Sequence, residues 1–83
     1  MSMLLMFRSL TYAQRGERAL RRVGFTVSLI KAPSETTAKG CAYALRLRER
    51  DISRASAVLR DAGIHFDRLY RLTADGTWEE YAP

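Results

Sequence analysis

One pattern occurs twice in this chain and limits what it can fold into. Ala19-Leu20-Arg21-Arg22-Val23-Gly24-Phe25 and Val58-Leu59-Arg60-Asp61-Ala62-Gly63-Ile64 share the same order of apolar, charged and glycine positions. Each reads as the end of an amphipathic helix stopped by a glycine, which can adopt the left-handed conformation a helix C-terminus requires. Upstream of the first, Ala13, Gly16, Leu20 and Val23 recur at helical spacing, and Gln14, Glu17, Arg18, Arg21 and Arg22 fall opposite. Ser9 or Thr11 can cap its start. In the second helix Ile52, Ala55, Val58, Leu59 and Ala62 form the buried stripe, with Asp51 where the helix dipole favours an acid.

Strand-like runs flank both helices. Met3 to Phe7 is continuously apolar, as expected of a strand buried on both faces. Phe25, Val27 and Leu29 alternate with Thr26 and Ser28, and Tyr43, Leu45 and Leu47 alternate with the small Ala42 and Ala44. Phe66 to Leu72 is more polar and has the features of a sheet edge. The order is β-α-β followed by β-α-β, and right-handed crossovers leave few ways to pack two such units together. The expectation is a ferredoxin-like α+β fold, βαββαβ, with a four-stranded antiparallel sheet and two helices on one face. Residues 1–72 would form this single domain. Residues 73–83 would be a tail that frays or folds Trp78 back onto the sheet.

At 83 residues there is no room for a second core. The single cysteine excludes an internal disulfide, which fits a reducing, cytoplasmic setting. The run before Arg8 is too short to span a bilayer and lacks the marks of a cleaved leader, so no membrane association is expected. One histidine and one cysteine exclude a zinc cluster of the usual ligands, and no phosphate loop or dinucleotide motif occurs. No metal and no cofactor is therefore expected. His65 reads as a loop residue, and Glu79 and Glu80 as solvated acids of the tail.

Chemistry then rests on Cys41. In the expected topology the third strand begins beside the end of the first strand, which brings Cys41 towards Arg8, Ser9 and Thr11. A helix N-terminus favours an anion, and an adjacent arginine or the nearby Lys39 would also lower a thiol pKa. The alternative is structural: cysteine is often a small buried hydrophobe, and Cys41 shares the strand parity of Tyr43 and Leu45.

The stretch from Phe7 to Leu72 resembles the Se/S carrier protein-like family, the DUF3343 domain. The residues that carry the resemblance are Leu29-Ile30-Lys31-Ala32-Pro33 and Gly40-Cys41-Ala42-Tyr43-Ala44-Leu45, a proline-bearing loop leading into a cysteine before a strand. The resemblance implies that Cys41 carries a persulfide or selenopersulfide, with Pro33 as the loop proline. The chain departs from the pattern at Ala42, where glycine is typical, and Gly40 instead precedes the cysteine. By the same resemblance the protein is a non-enzymatic carrier. A cysteine desulfurase-like donor would load it and a sulfur or selenium acceptor enzyme would unload it. Lys31 to Gly40 would be the recognition loop.

Two other functions compete. The net charge of +5, with twelve arginines among fourteen basic residues, raises the case for nucleic acid. The central strands, however, offer only Phe7 and Tyr43 for base stacking, so nucleic acid is disfavoured. Arg15, Arg18, Arg21 and Arg22 on the first helix suit an acidic protein partner equally well. The third function is an interaction or regulatory module, a homodimer formed through the open sheet face. The first strand is apolar on both sides and its outward side needs a cover.

Overall fold

The computed structural model describes residues 2–33 and 42–81. Strand β1 (Ser2–Phe7) leads into helix α1 (Leu10–Arg22), followed by β2 (Ser28–Lys31) and β3 (Tyr43–Arg48). A 3-10 turn over Glu49–Asp51 runs into helix α2 (Ile52–Asp61), and β4 (Arg68–Leu72) and β5 (Trp78–Glu80) complete the chain. The sheet order is β2-β3-β1-β4-β5, antiparallel at every pairing.

The repeated helix ending is a structural repeat as well. Gly24, at φ +95°, closes α1 while the Phe25 N–H donates to Leu20 O at 3.0 Å. Gly63, at φ +72°, closes α2 while the Ile64 N–H donates to Leu59 O at 2.9 Å. Both are Schellman closures, in which the orphan carbonyls of the last turn are satisfied by the two residues beyond it. This also explains why β2 starts later than the alternation of Phe25, Val27 and Leu29 predicts. Phe25 is bound into the helix closure, and Val27 is buried before the ladder begins at Ser28.

Alternation along β1 divides the interior in two. Met3, Leu5 and Phe7 pack with Leu45, Leu47 and Leu69 beneath Ala13 and Leu20 of α1 and Ala55 and Leu59 of α2. Gly16 lets α1 lie close on this layer. A Cβ there would stand 3.0 Å from Leu45 Cδ1 and 3.3 Å from Phe7 Cζ, so the helix keeps a residue of poor helical propensity for the sake of approach. On the opposite face Leu4 and Met6 pack with Ala44 and Tyr70, and Ile30, Ala32 and Trp78 close over them.

The four-stranded sheet expected from the sequence is corrected to five strands. β5 pairs with β4 in the register Leu72↔Trp78, Arg71↔Glu79 and Tyr70↔Glu80. β4 is consequently an interior strand and not the edge its polarity predicts. Its arginines are polar because they meet acids across the ladder: Arg68 reaches Glu80 at 2.8 Å and Arg71 reaches Glu79 at 3.0 Å. Glu79 and Glu80 are thus ion-pair partners rather than free tail acids. Arg71 also lies 3.9 Å from Glu49 and over the Tyr81 ring, which ties the added strand to the 3-10 turn. No helix among the described residues is long and apolar enough to cross a membrane.

Candidate functional site

The chain returns from the β2–β3 connection at Ala42, and two backbone hydrogen bonds fix that point. The Ala42 N–H donates to Phe7 O at 3.1 Å, and Ala42 O accepts from the Ala32 N–H at 2.9 Å. Both bonds continue the ladders of β1–β3 and β2–β3 past the last strand residues. Ala42 is exposed, and Pro33, which follows Ala32, is half-buried. Cys41, Lys39 and Gly40 lie outside the described residues.

Beside Ala42, β1 gives way to α1. Ser9 is extended, at φ −116° and ψ 133°, and its hydroxyl accepts from the Thr11 N–H at 3.1 Å and the Tyr12 N–H at 3.5 Å. This is an N-cap, so two of the four orphan donors of the helix are already satisfied internally. No acidic residue occupies the first turn of α1, and its dipole is unopposed there by any carboxylate of its own.

Sequence reasoning missed the third element of this junction. The Asp67 N–H donates to Met6 O at 2.8 Å, which places Asp67 directly across from the end of β1. Its carboxylate accepts from the Arg8 N–H at 3.2 Å and stands 3.7 Å from Arg8 Nε. The Arg8 guanidinium therefore has an acid beside it, and both side chains are substantially exposed, so the pair is screened and weak. The signal that finds Asp67 is topological: β4 runs antiparallel to β1, so the residue preceding β4 must meet the residue following β1. Phe7, Arg8, Ser9, Tyr12, Gly63, His65 and Asp67 line a cavity of about 370 Å³ here. The structure brings Arg8, Ser9 and Thr11 together at this junction.

The arginines of α1 do not share one environment. Arg21 donates to Val27 O at 2.9 Å and pairs with Glu17 at 3.3 Å, so it serves the helix-to-β2 connection. Arg15 stacks on the Tyr12 ring, 5.6 Å from its centroid. Arg15, Arg18 and Arg22 flank a shallow groove against Ala62 and Ile64 at the end of α2. Among the described residues, no group of three or more metal-ligating side chains comes together.

Residues 2–71 match the family model described as "putative Se/S carrier protein-like". No curated protein and no solved structure matches the chain.

Proposed function

The chain belongs to the Se/S carrier protein-like family, and from that premise we propose that Cys41 holds sulfur or selenium as a persulfide or selenopersulfide. In the loading step the Cys41 thiolate attacks the terminal sulfur of a persulfide on a cysteine desulfurase-like donor. The new S–S bond forms as the donor's own S–S bond breaks, and the electron pair leaves with the donor thiolate. Unloading is the same displacement in reverse: an acceptor nucleophile takes the terminal sulfur and Cys41 departs as thiolate. No external oxidant or reductant enters either step. With selenium the attacked and transferred atom is selenium.

The observation that carries this reading is the Ala42 N–H bond to Phe7 O, because Cys41 is joined to Ala42 by a single peptide bond. The anchor favours a cysteine working at the β1–α1 junction, where the α1 dipole and Arg8 stabilise a thiolate and Asp67 opposes it. Ser9 holds the helix start in place by accepting from the Thr11 and Tyr12 amides, so the helix dipole, not the Thr11 N–H itself, acts on a thiolate. Lys39 adds positive charge in sequence proximity. A donor or acceptor would recognise the β2–β3 connection, to which Pro33 and Gly40 belong in sequence. That connection starts after Lys31, because Lys31 ends β2 and pairs with Tyr43. Arg15, Arg18 and Arg22 offer an acidic partner a cationic face. Arg21 contributes less to that face because Glu17 and Val27 already engage it.

The test combines alkylation of Cys41 as a function of pH with intact mass after incubation with a desulfurase and cysteine. A midpoint below the free-thiol value of about 8.5, with mass gains of whole sulfur atoms that Cys41→Ser abolishes, is the expected outcome. Asp67→Asn should lower the midpoint further and Arg8→Gln should raise it. A thiol that reacts only after unfolding, or sulfur loading that survives in Cys41→Ser, would overturn the proposal.

A further inference from the structure

At the opposite end of the sheet, β3 leaves the ladder with three arginines in seven residues: Arg48, Arg50 and Arg54. The structure turns this spacing into a site. Together with Phe25, Thr26 and Asp51, the three arginines line a largely polar recess of about 220 Å³, whose other wall is the glycine closure of α1. Arg54 lies over the Phe25 ring, 5.4 Å from its centroid, a contact that limits the guanidinium to few orientations without neutralising it. Among the described residues, neither Arg48 nor Arg50 forms an ion pair. Asp51 is the single acid in the lining, and its side chain makes no capping bond to α2. Three guanidinium groups thus face one carboxylate.

Strand β4 carries arginines in a different setting. There Arg68 is answered by Glu80, and Arg71 by Glu79 and Glu49. Arg68 and Arg71 are neutralised within the fold, whereas Arg48, Arg50 and Arg54 have no ion-pair partner among the described residues. Each guanidinium presents paired N–H donors that match two oxygens of a tetrahedral oxyanion, and a recess of this size admits one such group.

We propose that this recess binds one phosphate group, either inorganic phosphate or the terminal phosphate of a small monoester, through Arg48, Arg50 and Arg54 with the Thr26 hydroxyl as a fourth donor. The site is separate from the β1–α1 junction and does not depend on the carrier reading. It can be tested by titrating the isotope-labelled full chain with inorganic phosphate, then with adenosine monophosphate, following backbone amides by NMR at constant ionic strength. The expected result is saturable movement of the Thr26 amide and of amides between Arg48 and Arg54 with both probes. Arg50→Gln and Arg54→Gln should each weaken binding about tenfold or more, the loss of one charge-assisted contact. The tighter of the two probes identifies the source of the phosphate. Equal movement on adding chloride, or affinity unchanged in both variants, would overturn the site. So would tighter binding of a single-stranded RNA oligonucleotide with shifts spread over Arg15, Arg18 and Arg22, because that is the behaviour of a strand-tracking surface. No thiol is read in this experiment, so its failure leaves the Cys41 proposal standing.

Discussion

On the helix side of the sheet, Met3, Leu5 and Phe7 are enclosed by two amphipathic helices whose apolar stripes repeat along the sequence. On the other side, Leu4 and Met6 are equally inaccessible, yet no helix covers them. Their cover is assembled from single side chains: Ile30 and Ala32 from the β2 side, Tyr70 from β4, and Trp78 from a strand beyond the repeated unit. A helix layer brings its apolar face as one cooperative element. The outer cluster instead depends on side chains from separate strands, each held by its own ladder. The outer face of an open sheet can therefore be closed within one chain, and the homodimer suggested by the apolar first strand is not needed to cover Leu4 and Met6.

The largest effects should come from deleting core volume on each side. Leu5→Ala should cost about 2–5 kcal/mol in urea unfolding, because the helices above it cannot collapse into the space without shifting. Leu4→Ala should fall near the lower end of that range, about 2 kcal/mol, because Tyr70 and Trp78 can settle inward. Equal losses at the two positions would show that the outer cover is as rigid as the helix layer.

Trp78→Ala is the next effect in size. Trp78 is half-buried, so its loss should cost about 1–2 kcal/mol by far-UV circular dichroism, less than a fully enclosed aromatic. An unchanged unfolding midpoint would mean that β5 lies outside the cooperative unit.

The smallest effect concerns the turn that delivers Trp78. Thr73 and Thr77 hydrogen-bond the Asp75 carboxylate and hold its pKa below the ordinary 3.8. A depressed carboxylate pKa contributes stability that is present above the unfolded value and is lost as pH falls through the folded one. Trp78 fluorescence should therefore be flat at neutral pH and change only in the acid range, as pH falls through the ordinary carboxylate value towards the depressed one, and Asp75→Asn should reduce that dependence. A change centred near neutral pH would assign the transition to a different group.

Much of the fold is legible from local rules. The two helices, their glycine closures and the antiparallel placement of β3 beside β1 follow from periodicity and crossover handedness, which act over short stretches. The fifth strand is less visible. Trp78-Glu79-Glu80 is short and two-thirds acidic, and it becomes a strand through the facing Arg68 and Arg71 and the packing of Trp78 on the outer cluster. The same holds at the candidate site. Arg8, Ser9 and Thr11 could be named from the β1–α1 boundary, but Asp67 lies 59 residues from Arg8, and a long-range register had to be known before the two could be paired. Likewise, the arginines of the α1 face look equivalent as a charge run, yet Arg21 is engaged by Val27 and Glu17. Conversely, Arg48, Arg50 and Arg54 carry no signal in sequence until the glycine closure of α1 forms the wall opposite them.

The sequence by itself determined the helix stripes, the repeated stops, the central apolar strand and the single cysteine, since each depends on neighbours within a few residues. Only the tertiary structure decided which charges are neutralised, what covers the outer face and which acid faces Arg8. Those outcomes depend on distances between residues far apart in the chain, and the strand register sets such distances.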